Sequence, residues 1–317
     1  MTHAISGTHT LSHPLLRQET TAADHPENQP MRTTPYHDFV AKLARTIDEA
    51  KTLPLGGFPP ADRPAVPAGA PKALFFSPHP DDECISGGMA VRLMREAGMN
   101  VFNVAVTQGS KKERQGERYR ELQAACDNLG LGLIPTGPNG LEKINPKTRA
   151  ADPAHWDACV QVIHGILAEH QPRVILFPHE RDWNSSHIGV YYLVTDALKQ
   201  MPASFECYTM ETEFWGAMDD PNLMVEISPL DLADMIVALT FHVGEVNRNP
   251  YHLSLPAWMM DNVRRGGEVV GGQGGEPPDF KFAVLLRLRK WSQGQLQRFY
   301  EGGKQLPASV NPNTLLV

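Results

Sequence analysis

Ala73-Leu74-Phe75-Phe76-Ser77-Pro78-His79-Pro80-Asp81-Asp82-Glu83 runs an apolar segment directly into a turn that holds one histidine and three acidic residues within five positions. The apolar part reads as a short buried strand. Carboxylates crowded like those of the turn repel one another unless something compensates them, and a divalent cation does so economically. Imidazole beside carboxylate suits zinc, or a similar first-row metal, better than magnesium or calcium.

Working outward, Val101 to Val106 reads as a second strand and Arg173 to Phe177 as a third. Helices are expected from Gly87-Gly88-Met89 to about Ala97, from Glu113 to Leu129 with Gly130 as a C-cap signal, from about Trp156 to His170, and from Ile188 to Leu198. This alternation predicts an α/β fold, Rossmann-like, with a mostly parallel sheet and helices on both faces. In such sheets ligands bind beyond the carboxyl ends of the strands, where the strand order reverses. The turns after Phe76 and after Phe177 both follow strands, so both are expected at one rim.

Residues 1–70 read as an N-terminal extension, partly disordered, with an amphipathic helix from about Tyr36 to Lys51 carrying Phe39, Leu43 and Ile47. Residues 71–246 read as the core and 247–317 as a C-terminal extension. Phe205 to Trp215 and Leu223 to Ile227 are candidate extra strands, and Pro229 to Val246 a candidate helix. The glycine-rich stretch from Arg264 to Pro278 reads either as a lid beside a pocket or as a plain connector.

The 317 residues are 41% hydrophobic and 21% charged, enough for one large domain, and the net charge of −7 lacks the basic footprint of a nucleic-acid binder. Cys84, Cys126, Cys159 and Cys207 have no CxxC spacing and read as core thiols in a reducing compartment. No segment is apolar for long enough to span a membrane, and the first thirty residues lack the apolar core of a secretory signal. A cytoplasmic location is therefore expected. There is no GxxxxGK[ST] pattern, and Gly87-Gly88 alone is a weak phosphate signal.

Two ligands from the first turn leave a catalytic metal one protein ligand short of the usual three. The second turn, Pro178-His179-Glu180-Arg181-Asp182-Trp183-Asn184-Ser185-Ser186-His187, supplies the candidates. A His-Asp-His set keeps positions open for water and substrate, and a spare carboxylate beside the metal can take the water's proton. His242 and His252, without acidic neighbours in sequence, read as structural or rim residues. Glu83 reads as a group that orients a ligand or closes the turn near a helix N-terminus.

The strand followed by His79-Pro80-Asp81-Asp82-Glu83 resembles the signature of the LmbE-like, or PIG-L, deacetylase family, and the resemblance extends over about Ala73 to Leu198. Members remove acetyl groups from N-acetylglucosamine units in GPI precursors, mycothiol and bacillithiol intermediates, and chitin fragments. The resemblance implies that His79, Asp82 and His187 bind Zn2+ or another divalent first-row metal such as iron or cobalt. It makes Asp81 the general base. Arg118-Tyr119-Arg120-Glu121-Leu122 is similar to the family's Arg-x-x-Glu-Leu helix, which implies a sugar or phosphate contact at Arg118. The other reading of that segment is an exposed helix whose arginines neighbour Glu117 and Glu121.

One position departs from the family pattern. Many members carry a histidine three residues before the last ligand, where it stabilises the oxyanion, and here that residue is Asn184. An Asn amide donates a hydrogen bond but delivers no proton. Either Asp81 moves the proton in both steps, or His179 reaches in. The expected function is removal of an acetyl group from an N-acetylated amino sugar, with a small molecule as partner and a homo-oligomer compatible with the sequence. Two alternatives stand beside it: an amidase for a larger amide or thiol conjugate, favoured by an aromatic rim of Trp183, Trp215 and Trp258, and a metal-binding module that has lost turnover.

Overall fold

The computed structural model describes residues 33–298 and 300–316; the expectation of disorder before residue 33 lies outside them. The chain divides into two units between residues 49 and 50. In the first, helix α1 (Pro35–Ala50) has no buried residue, and Phe39, Leu43 and Ile47 are exposed along it.

The second unit is built on one nine-stranded sheet. Along the chain it runs β1 (Lys72–Ser77), α2 (Asp82–Ile85), α3 (Gly88–Arg95), β2 (Asn100–Ala105), α4 (Lys112–Leu129), β3 (Gly132–Pro135), α5 (Pro146–Ala151), α6 (Pro153–His170), β4 (Val174–Pro178) and α7 (Ser185–Leu198). It continues with β5 (Cys207–Thr212), β6 (Leu223–Glu226), α8 (Pro229–Leu239), α9 (Val243–Arg248), α10 (Tyr251–Val269), β7 (Ala283–Ser292), β8 (Gln295–Gln297) and β9 (Lys304–Leu306). A 3-10 turn, Pro312–Leu315, follows. The spatial order is β3-β2-β1-β4-β5-β7-β6-β9, with β8 hairpinned onto β7. Strands β1 to β5 are mutually parallel.

Burial on both faces explains the unbroken apolar runs of β1 and β4. Successive side chains on a strand point to opposite faces. Accordingly Ala73 and Phe75 join the core under α2, α3, α4, α8 and α10, whereas Leu74 and Phe76 join the core under α6 and α7. The expected Rossmann-like sheet with helices on both faces is what the chain forms. The strand order reverses between β1 and β4: from β1 the chain steps outward through β2 and β3, from β4 it steps the other way to β5. The acidic turn and the His179–His187 turn leave the carboxyl ends of those two strands, one on each side of the switch.

Gly88 permits a close approach here, because a methyl group on it would lie 2.7 Å from Ile227 Cδ1. Its role is packing of α3 against the sheet and not a phosphate cradle. Gly130 adopts φ 82° and its N–H caps α4 on the Cys126 carbonyl, as the sequence suggests.

Several boundaries differ from the expectation. The C-terminal segment after residue 246 is not an appendage, since β7 lies between β5 and β6, antiparallel to both. Arg287 and Arg289 of β7 both pair with the buried Glu211 of β5, and Arg287 also takes Glu180 and Asp220. The alternating Arg-Leu-Arg pattern is thus a strand whose polar positions are neutralised across the sheet. Helix α10 runs to Val269, so the glycine-rich connector is shorter than the expected 264–278, and Gly266 packs against Met224 and Leu285. The helix expected over Pro229 to Val246 breaks after Leu239 and restarts at Val243 with His242 at its N-cap. No helix among the described residues is long and apolar enough to cross a membrane.

The C-terminal segment is fastened by Arg92, whose side chain is fully buried. It pairs with Glu96 at 2.7 Å and donates to the carbonyls of Glu226, Pro307 and Val310 at 3.0, 3.0 and 2.8 Å. Replacing Arg92 by Met strands these half-buried acceptors, and an acceptor left unpaired out of water costs up to about 1–3 kcal/mol. Urea unfolding of Arg92→Met is expected to show a stability loss of about 3 kcal/mol or more with an unchanged slope.

Candidate active site

The turn after β1 folds sharply because Asp81 takes φ 111° and ψ −28°, a left-handed conformation that strains a residue with a Cβ by about 1–3 kcal/mol. Two interactions hold it. Its backbone N–H donates to Glu83 Oε2 at 2.9 Å, and the His79 N–H donates to Asp82 Oδ2 at 2.8 Å. Asp82 opens α2 with its carboxylate aimed back at the turn. From β4, Asn184 caps α7 by accepting the Ser186 N–H at 2.9 Å, which brings His187 over the same carboxylate. Gly189 lets the start of α7 pack on the backbone just before α5, since a methyl group there would sit 2.5 Å from the Ile144 carbonyl oxygen.

Asp82 Oδ2 thereby lies 3.5 Å from His79 Nδ1 and 3.4 Å from His187 Nε2, and the three ligand atoms fall within 4.8 Å of one another. His187 Nε2 is buried with no hydrogen-bond partner among the described residues. Its other nitrogen, Nδ1, is 3.5 Å from Asp182 Oδ2, while Asp182 Oδ1 accepts the Asn184 N–H at 2.8 Å. A carboxylate behind a histidine fixes its tautomer so that the free nitrogen can face a metal. An orphaned imidazole nitrogen, a carboxylate and a second imidazole make a donor set that fits a first-row divalent ion.

Asp81, Asp82 and His79 form the floor of a cleft of about 210 Å³, walled by Ile85, Asn184, Trp215 and Tyr251 and by the basic side chains of Lys111, Arg114, Arg118 and Arg248. A second cleft of about 430 Å³ shares His79, Gly109 and Ser110 with it.

Residues 74–198 match the family described as PIG-L, GlcNAc-PI de-N-acetylase. A deacetylase of Segniliparus rotundus, 1D-myo-inositol 2-acetamido-2-deoxy-alpha-D-glucopyranoside deacetylase, is 37% identical over 89 residues, covering 27% of this chain and 28% of that protein. A protein of Bacillus cereus described as probable N-acetyl-alpha-D-glucosaminyl L-malate deacetylase 2 is 25% identical over 142 residues, covering 41% of this chain and 61% of its own length. The chain therefore spans less than two thirds of either relative. The solved structure of N,N'-diacetylchitobiose deacetylase from Pyrococcus horikoshii aligns over 81% of this chain and 93% of its own, at 17% identity and a TM-score of 0.49.

The PIG-L-like segment holds every residue singled out in the two turns, and the fold brings His79, Asp81, Asp82, Asn184 and His187 together. His179 is placed differently. Its ring is buried, with Nε2 2.8 Å from the Gly216 carbonyl and Nδ1 accepting the Arg181 N–H at 3.3 Å. Both nitrogens are engaged, so His179 pins the loop after β5 and offers no atom to the cleft. Arg118 lines the cleft, and its guanidinium donates to the Pro80 carbonyl at 3.0 Å, which braces the acidic turn from behind. Of the three expected rim tryptophans, Trp215 lines the cleft; Trp183 is 84% exposed, and Trp258 packs edge-on to Phe214.

Two partners escaped the sequence. Asp182 sits in the quoted second turn without a signal that separates it from Glu180. His242, read as structural for lack of acidic neighbours, reaches Glu83 Oε1 with its Nε2 at 2.6 Å, both side chains fully buried. Only the tertiary fold joins them, across 159 positions.

The acidic groups respond differently to this environment. Burial, and then the adjacent Asp82, raise Asp81 well above the usual carboxylate range. Burial also works against ionisation of Asp82, but His187 outweighs it and holds that carboxyl below its ordinary value. Burial would lower His187; Asp82 and then Asp182 override it and push it up to about 10. The raised value stabilises the metal-free fold in full below about 6.5 and is lost as pH climbs through about 10. At neutral pH the metal-free chain thus carries a proton on His187 that a metal must displace. Metal uptake is expected to release about one proton, with apparent affinity rising roughly tenfold per pH unit over this window. Calorimetry in two buffers of different ionisation enthalpy measures the release, and His187→Ala is expected to abolish it.

Proposed function

We propose that the chain is a zinc-dependent hydrolase that removes the acetyl group of an N-acetylated amino sugar. The observation that carries this reading is one carboxylate, Asp81, with no ion pair among the described residues, on the floor of a cleft beside the convergent His79, Asp82 and His187. These three residues would hold the metal. Zinc in such a site lowers the pKa of water and polarises the amide carbonyl.

The chain's own groups then divide the work. Asp81, with its raised pKa, takes the proton from the attacking water as the new C–O bond forms. Asn184 is the oxyanion donor, because capping α7 commits its Oδ1 and leaves the Nδ2 hydrogens for the cleft. With both His179 nitrogens engaged, Asp81 also returns the proton to the nitrogen as the C–N bond breaks, releasing acetate and the free amine. Trp215 and Tyr251, with ring centroids 5.8 Å apart, offer an aromatic wall to the sugar.

A second reading, an amidase for a larger amide, draws on the neighbouring cleft of about 430 Å³ that shares His79. The same experiment separates it. Acetate release from N-acetylglucosamine derivatives by the zinc-loaded chain, lost by about 10²-fold or more in Asp81→Asn, supports deacetylation. Release of longer acyl groups in preference to acetate supports the amidase. Silence toward both, with metal bound, supports a binding module.

Asp81 depends on Glu83, and Glu83 on His242. His242→Leu leaves the Glu83 carboxylate buried without its ring donor and loosens the strained turn, so kcat is expected to fall about 10–100-fold with little change in KM. His242→Gln keeps a donor and is expected to recover most of that loss; equal losses in both variants would disconnect the pair from turnover.

A further inference from the structure

Helix α1 is 16 residues long and buries none of them. Its start is encoded locally. Thr34 stands before Pro35 at the first helical position, and Thr34 Oγ1 meets His37 Nδ1 at 2.7 Å across the first turn. One turn on, Asp38 pairs with Lys42 at 2.8 Å. Isolated helices of up to about 12–15 residues are marginal in water, and most helical stability comes from packing an amphipathic face. Such a face is present, and it is bare. Tyr36, Phe39, Val40, Leu43 and Ile47 line one side of α1 and are between 46% and 81% exposed.

The spacing of that face says what covers it. Lettered a to g in a seven-residue repeat, Val40 and Ile47 take a, while Tyr36, Leu43 and Ala50 take d. The charged residues of α1, Asp38, Lys42, Arg45, Asp48 and Glu49, all fall at b, c or f, the positions turned away from a partner helix. The flanking e and g positions hold His37, Phe39, Ala44 and Thr46, so no carboxylate or guanidinium meets its own kind across a parallel pair. Apolar a and d positions with charges outside are the pattern of one helix packed along another. β-branched residues at a with leucine at the central d position favour two parallel strands. A lipid surface fits less well. Helices that lie on it carry an excess of Lys and Arg on the polar face, whereas α1 has two basic and three acidic residues.

We infer that α1 is a dimerisation helix, whose a and d face packs in parallel on the same face of α1 in a second copy of this chain. Val40, Leu43 and Ile47 form the centre of the seam, and the contact uses one patch twice, as a two-fold interface requires. The segment precedes residues 74–198, so the association is a property of this chain's own N-terminal part and not of the PIG-L-like segment. None of these residues lines the cleft.

A short seam makes the association concentration dependent, so sedimentation equilibrium of the full chain over about 1–300 µM tests it. The wild type is expected to pass from monomer to dimer. Val40→Glu/Ile47→Glu sets like charges against each other at both a positions and is expected to weaken association about 100-fold or more. Helical circular dichroism at 222 nm is expected to rise with concentration in the wild type and to stay flat in the variant, because pairing stabilises α1. A second measurement does not depend on how that variant folds. The four native cysteines are buried, so a cysteine placed on α1 is the accessible one. Leu43→Cys, on the seam, is expected to oxidise to a covalent dimer, and the exposed neighbour Lys42→Cys is not. A monomer at every concentration, a dimer that the double glutamate variant leaves intact, or equal cross-linking at positions 42 and 43 overturns the proposal. Binding of the wild type to phosphatidylcholine–phosphatidylglycerol vesicles with no dimer in solution also overturns it, and assigns the face to a membrane.

Discussion

Three consecutive carboxylates, Asp81, Asp82 and Glu83, are buried in one turn, and much of the surrounding structure answers their mutual repulsion. Each is compensated differently. Asp82 lies between two imidazoles, an arrangement a cation would complete. Glu83 is neutralised from behind by His242 and accepts the N–H of Asp81. Asp81 is left without an ion pair among the described residues, strained and desolvated, at the bottom of the cleft. Charges buried together cost several kcal/mol each without partners, so a turn like this persists only where distant elements supply them.

The sheet delivers those partners. Because the strand order reverses between β1 and β4, the turns that follow the two strands diverge around one crevice instead of being filled by a neighbouring connection. One turn brings His79 and Asp82, the other Asp182, Asn184 and His187. Helix α9 closes the crevice on a third side with Glu245 and Arg248, and His242 at its start reaches under the floor. A short helix broken from α8 therefore serves both the acidic turn beneath the cleft and the basic wall above it.

Much of this was legible in the sequence for local reasons. The apolar runs at 73–76 and 174–177 are buried on both faces and could not be amphipathic elements. The acidic turn announced itself by charge density, and the second turn by its two histidines. What escaped has no local signature. His179 and His187 lie in the same turn, yet one is consumed by the Gly216 carbonyl and the other is left with an orphaned nitrogen. Strand β7 reads as alternating charge and leucine, and only the register opposite Glu211 explains why arginines are buried there.

The sequence by itself determined the strand-turn-helix units, the parallel part of the sheet around β1, β2 and β4 and the candidate residues for binding a cation, because each follows from patterns a few residues long. The tertiary structure decided which histidine of the second turn faces Asp82, that His242 underpins Asp81 through Glu83, that β7 enters the middle of the sheet, and that Arg114, Arg118 and Arg248 meet at Glu245. The physical reason is common to all four. A buried charge is balanced by whatever group the fold brings within about 3–4 Å, and that distance is unrelated to separation along the chain.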